Sequence, residues 1–214
     1  MKQGKTLSMV QLALLTALIV MLSFIPYIGY IKIPVLAVQA TTIHIPVIVG
    51  SILLGPKAGG FLGFVFGLTS LINNTTQPGL TAFCFSPFIS MGEGLGGSPL
   101  ALIVCFLPRI LTGVVPYYVY RGLQKLDKKE GPGKLSLLLA GVAGSMTNTI
   151  LVMGMIYLFF GSAYAAARGI AYEAVLGVIL SVVGINGTIE AVVAALLAGA
   201  ICLAVMKANV LKTK

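Results

Sequence analysis

Six apolar stretches recur along the chain, near residues 7–26, 42–55, 58–72, 99–121, 136–160 and 187–206, and polar residues collect in the breaks between them. About 20 apolar residues suffice to cross a bilayer core of roughly 30 Å as a helix. The pattern predicts an all-α integral membrane protein, a bundle of six transmembrane helices forming one domain over residues 1–214. The second and third stretches are short and are expected to run as broken or tilted segments inside the bundle, where irregular backbone is tolerated. Gly55-Pro56-Lys57 between them leaves room only for a hairpin. Proline disfavours a helical residue before it and donates no N–H, so one helix ends at Gly55 and the next starts near Ala58. Gly59, Gly63 and Gly67 then repeat every four residues and line one helix face with hydrogen atoms, so that another backbone can approach closely.

The breaks have characters of their own. Residues 26–40, PYIGYIKIPVLAVQA, alternate apolar positions around two prolines, which predicts an extended segment or hairpin folded over the outer end of the bundle. Residues 73–98 form the longest outer loop, with five glycines, an apolar centre from Leu80 to Met91, and a solvated Glu93. Residues 122–134, GLQKLDKKEGPGK, read as a cytoplasmic connector. Ser162 to Val183 reads as an outer loop holding a short helix near 173–183, broken by Gly184-Ile185-Asn186-Gly187 before the last span begins.

Composition sharpens this picture. With 58% hydrophobic and 9% charged residues, the 214-residue chain has too little polar surface to cover a water-soluble globule. The net charge of +9 invites a nucleic-acid reading, but its distribution excludes one. With the N-terminus taken as cytoplasmic, Lys2, Lys5, Lys57, Arg121, Lys125, Lys128, Lys129, Lys134, Lys207, Lys212 and Lys214 all fall inside, which is 11 of the 14 basic residues. Lys32 and Arg168 fall outside, and Arg109 lies within a span. This positive-inside bias places both termini in the cytoplasm and points to membrane lipid, not to a polyanion. Cys84, Cys105 and Cys202 are odd in number and lack CxxC spacing, so they predict neither a disulfide framework nor a metal site. Lysine followed by an apolar run mimics a secretion signal, but residues 7–26 are long enough to span and have no small-residue cleavage site, so a retained first helix is expected.

Few polar residues remain inside the apolar stretches. Arg109 lies twelve residues from Arg121, roughly 18 Å along a helix, and therefore near the midplane. An arginine there is costly unless it faces a polar cavity or a partner, and the alternatives are a ligand clamp or a structural pairing with backbone carbonyls or Glu190. Pro108 beside it predicts a kink. Asn148 sits at similar depth, as a helix–helix hydrogen bonder or a ligand contact. Asn73 and Asn74, with Thr75 and Thr76, form either a polar cap or a ligand-binding edge. Asn186 is placed to cap the last helix, and Glu190 in its first outer turn suits the helix dipole as well as a ligand. His44 is the sole histidine, a cap or core hydrogen bonder as readily as a site residue. Arg109, Asn148, Asn73, Asn74, Asn186 and Glu190 all fall between midplane and outer surface, which predicts an outward-facing pocket covered by the apolar loops 26–40 and 80–91. An arginine fork suits a carboxylate, and asparagines suit amides and hydroxyls.

Five blocks carry a family resemblance: TIHIPVIVGSILLGPKAGGFLGFVFGL, PRILTG, TNTILVMG, NGTIEAVVAA, and the AxxxA formed by Ala13 and Ala17 in the first helix. In this order, and over nearly the whole chain, they resemble the substrate-binding S components of energy-coupling factor (ECF) vitamin transporters, most of all the pantothenate-type members. The resemblance implies a membrane subunit that captures a small vitamin outside and delivers it by toppling in the bilayer. It also implies a partner module of one transmembrane coupling subunit and two ATPases, with Ala13 and Ala17 as the coupling-subunit contact and the outer loops as gates. Pantothenate, with its carboxylate, amide and hydroxyls, matches Arg109 plus the asparagines, and other small anionic vitamins match them too.

The remaining function classes fit less well. Gly55-Pro56-Lys57 lacks the GxxxxGK[ST] spacing that wraps phosphates, so ATP hydrolysis belongs to partner chains. One histidine and no HExxH leave no catalytic set and no metal, and no cofactor is expected. A proton-coupled secondary transporter would use Glu190 or His44 as a relay, but the chain shows no internal repeat and few intramembrane acids.

Overall fold

A computed structural model of the chain describes residues 2–25, 29–33, 38–90, 97–126 and 133–212. The first apolar stretch is helix α1 (Lys2–Phe24). Two short strands follow, β1 (Tyr30–Ile33) and β2 (Val38–Thr41), paired antiparallel with Tyr30 opposite Thr41 and Ile33 opposite Val38. These strands realise the expected hairpin. Its segments 26–28 and 34–37 lie outside the described residues, as do Met91, Glu93 and the middle of the 122–134 connector.

Helix α2 (His44–Leu54) is only 11 residues long and buried along most of its length, as expected for a short segment packed inside the bundle. Gly55 alone turns the chain: its φ of 96° is a conformation that side-chain-bearing residues rarely adopt. Helix α3 (Pro56–Thr76) begins at Pro56, two residues before the expected Ala58, because the first turn of a helix has no use for the N–H that proline lacks. It also continues through Asn73–Thr76, so these residues form a last helical turn and not a loop. A 3₁₀ turn (Ala82–Cys84) dips into the core beyond it.

Helix α4 (Leu100–Leu126) packs against the glycine face of α3. A Cβ on Gly59 would fall on the Gly113 carbonyl, one on Gly113 would fall on the Gly59 carbonyl, and one on Gly63 would fall on the Arg109 carbonyl. The i, i+4 glycine spacing thus brings the two backbones into direct contact, which in lipid is a principal source of helix association.

Helix α5 (Lys134–Arg168) runs for 35 residues, well past the expected end near 160. The outer loop read from Ser162 onward is therefore helical as far as Arg168, and only Gly169–Ala171 turn the chain, with Gly169 left-handed at φ 65°. Alanine-rich SAYAAAR is a strong helix former, and Tyr164 and Ala165 are buried there against Val175 and Ile179. The expected break at 184–187 is also absent. Helix α6 (Tyr172–Val182) passes through a π-helical segment, Val183–Gly187, directly into α7 (Thr188–Lys212). Where no water can satisfy an open backbone, a wide helical turn keeps the N–H and C=O groups bonded that a true break would strand. Asn186 consequently sits inside a helix and caps nothing.

Among the described residues, four helical stretches are long and apolar enough to cross a membrane: Lys5–Phe24, Leu100–Lys125, Lys134–Arg168 and Tyr172–Ala208.

Candidate ligand-binding site

Arg109 is positioned by the residue before it. Pro108 has no N–H, so the Val104 carbonyl four residues back loses its helical partner. The Arg109 Nη1 donates to that carbonyl at 2.7 Å, which folds the side chain back along α4. Its guanidinium carbon lies 5.0 Å from the Phe85 ring centre and 5.6 Å from that of Phe66. The side chain is 6% exposed, yet Nε has no partner. Such a donor costs about 1–3 kcal/mol while unmet, and an incoming acceptor recovers that energy.

Across from it, α5 contributes Asn148 and Thr149, and the π segment with the first turn of α7 contributes Asn186 and Glu190. The Oδ1 atoms of Asn148 and Asn186 are buried without donors. Glu190 is held at both oxygens: the Thr41 backbone N–H donates to Oε1 at 2.6 Å and the Thr149 hydroxyl to Oε2 at 3.2 Å. The end of α3 completes the wall. There the Asn73 amide donates to the Ser23 carbonyl at 2.9 Å, and the Asn74 amide to the Ser70 carbonyl at 2.8 Å. These groups, with apolar Val152, Met153 and Ile156, enclose a cavity of about 940 Å³. It offers one arginine donor and two amide oxygens to a ligand of matching polarity.

The chain's likenesses agree with a transport role. Residues 7–202 match the family described as ECF transporter, substrate-specific component. The chain belongs to that family. It is 38% identical over 210 residues, spanning 98% of both chains, to the "Pantothenic acid transporter PanT" of Lactococcus lactis subsp. cremoris. It is 28% identical over 203 residues to the "Pantothenate transporter PanT" of Leuconostoc mesenteroides subsp. mesenteroides, covering 94% of this chain and 93% of the relative. As an S component it is a multi-pass cell-membrane protein and a transport subunit, not an enzyme.

In this S component six of the seven residues singled out from the sequence line this cavity: Arg109, Asn148, Asn73, Asn74, Asn186 and Glu190. His44 does not. It lies buried at the start of α2, 2% exposed, with neither ring nitrogen hydrogen-bonded. Arg109 donates to a backbone carbonyl, one of the partners considered for it, and Glu190 is bonded to Thr41 and Thr149 instead. Leu80, Ala82 and Phe85 line the cavity from the apolar segment 80–91, and Ile25 and Thr41, which flank the segment 26–40, line it as well. Ala13 and Ala17 are exposed on α1 beside Leu14, Met9 and Leu18, on the most open helix of the bundle.

Sequence reasoning passed over Arg168 and Tyr164. Both line the cavity, with the Arg168 guanidinium 5.1 Å from the Tyr164 ring centre. Their spacing i, i+4 carried the signal, but it has meaning only once α5 is known to reach residue 168. Thr149, which holds Glu190, was hidden as one threonine among several.

Proposed function

We propose that this S component binds pantothenate in the cavity, with Arg109 as the carboxylate clamp and Asn148 and Asn186 meeting the ligand's amide and hydroxyl donors. One observation carries the reading: a buried arginine Nε without a partner shares a cavity with two amide oxygens that also lack one. An anionic group answers the first and donors answer the others, and pantothenate has both on one short chain. The names of the two relatives supply the choice among small acids.

The chain then forms a single membrane domain in which α2 and α3 add two crossings to the four long helical stretches, giving six spans, both termini cytoplasmic and the cavity opening outward. This orientation follows from 11 of the 14 basic residues falling on the segments and termini taken as cytoplasmic. Release inward occurs by toppling of the loaded subunit when it docks on a module of one transmembrane coupling subunit and two ATPases. The exposed Ala13–Ala17 face of α1 supplies a flat surface for that contact.

Mass spectrometry of the small molecule released on denaturing the purified chain tests the assignment, with pantothenate in one-to-one amount as the expected result. Titration of an Arg109→Ala variant tests the clamp: binding is lost while the protein stays monodisperse, and an unchanged affinity overturns the role.

A further inference from the structure

Among the described residues, the cavity lining carries three formal charges, two arginines and one carboxylate. Arg109 is buried, Arg168 lies at the C-terminal end of α5, and Glu190 is 7% exposed. Glu190 cannot receive the ligand's carboxylate, because two carboxylates repel and neither has a donor to offer. Each of its oxygens already accepts from a donor of the protein, the Thr41 N–H on one and the Thr149 hydroxyl on the other. These two bonds hold the carboxyl group in a fixed place on the cavity wall. Whatever it accepts from a ligand, Glu190 also brings a negative charge, which offsets one arginine and leaves the lining with a single positive charge.

Resting on the pantothenate reading above, we propose that Glu190 is a specificity-determining residue that limits the site to singly charged acids. A monoanion brings the lining and ligand together to neutrality, whereas a second negative charge on the ligand has no surplus cation to meet and faces the fixed carboxylate. Discrimination of this kind is built by a repulsive element as much as by attractive ones. Arg168 is the counterpart: without it the lining is neutral before any ligand enters, and the advantage of an acid over its uncharged analogue shrinks.

The test is isothermal titration of the full-length chain in detergent with three probes: pantothenate, the uncharged alcohol pantothenol, and the additionally charged 4′-phosphopantothenate. The wild type is expected to bind pantothenate most tightly. Glu190→Gln keeps the shape and an acceptor oxygen for the Thr41 N–H, and presents its amide NH2 to the Thr149 hydroxyl, which can turn its own proton to the Ser145 carbonyl. It removes the charge, so the preference for pantothenate over its phosphorylated form falls by on the order of tenfold to a hundredfold. A purely steric rejection of the phosphate would not be relieved by this isosteric change. Arg168→Gln, at the end of a helix, provides an independent arm in which the preference for pantothenate over pantothenol falls. Glu190→Gln that binds pantothenate with an unchanged phosphorylated-to-free ratio overturns the proposal, and so does an unchanged acid-to-alcohol ratio in Arg168→Gln. A wild-type chain that binds none of the three overturns the pantothenate reading itself.

Discussion

Gly63→Ala reports on how the site is held, although Gly63 is not among the residues lining the cavity. An added Cβ falls on the Arg109 carbonyl oxygen and 2.8 Å from both the Arg109 carbonyl carbon and the Ile110 Cα. Carbon atoms sit comfortably at about 3.5–4.0 Å, so α3 and α4 must part by roughly 1 Å, and every contact in the way is backbone that cannot rotate aside. Overpacking of this kind costs about 1–3 kcal/mol of stability. The same shift moves the Arg109 backbone relative to Asn148 and Asn186, and a displacement near 1 Å at a preorganised site lowers affinity by on the order of tenfold to a hundredfold. Gly60→Ala is the matched control on the same helix, because its Cβ would rest 3.4 Å from Val114 Cγ2 in ordinary contact. The assay is a pantothenate titration with thermal unfolding in detergent for both variants. Gly63→Ala should lose affinity and melt lower, while Gly60→Ala stays close to wild type. Wild-type affinity and melting temperature in Gly63→Ala would refute the argument that direct backbone contact positions Arg109.

Three further outcomes are expected. Pro108→Ala restores an N–H that competes with Arg109 Nη1 for the Val104 carbonyl, so the guanidinium loses its anchor and pantothenate affinity falls about tenfold while the melting temperature of the free protein holds or rises; calorimetry and thermal unfolding together read both. Asn148→Leu removes a buried amide oxygen that lacks a donor, so the ligand-free protein gains about 1 kcal/mol while the ligand-induced rise in melting temperature shrinks; a stability loss with full ligand response would contradict the assignment. Ala13→Trp or Ala17→Trp leaves binding in detergent intact and stops uptake in vesicles carrying the ATPase module; normal uptake would place the coupling contact elsewhere.

How much of this was legible in advance follows from what each feature depends on. The expected span near 136–160 lies within α5, but its length was misjudged because helix ends are set by what the last turns pack against. Tyr164 and Ala165 stay helical because Val175 and Ile179 bury them, and those partners lie beyond the turn. The 184–187 stretch misled for a related reason. Two glycines and an asparagine would break a helix in water, but among apolar neighbours a π turn satisfies the backbone with less disruption. Glu190 was placed in the first turn of the last helix, but its bonding to Thr41 and Thr149, 149 and 41 residues away in sequence, could not be read from spacing.

The sequence by itself determined the membrane class, the family, the glycine face of α3 and the short list of polar residues worth attention. Each of these rests on composition or on periodicity within one segment, and both are local properties. Only the tertiary structure decided that Asn148, Asn186 and Glu190 converge with Arg109 around one cavity, that His44 lies apart from it, and that Arg168 joins it. Convergence depends on the relative rotation and depth of separate helices, and those are fixed by packing between segments distant in the chain, Gly63 against Arg109 and Gly141 against Ala195 among them.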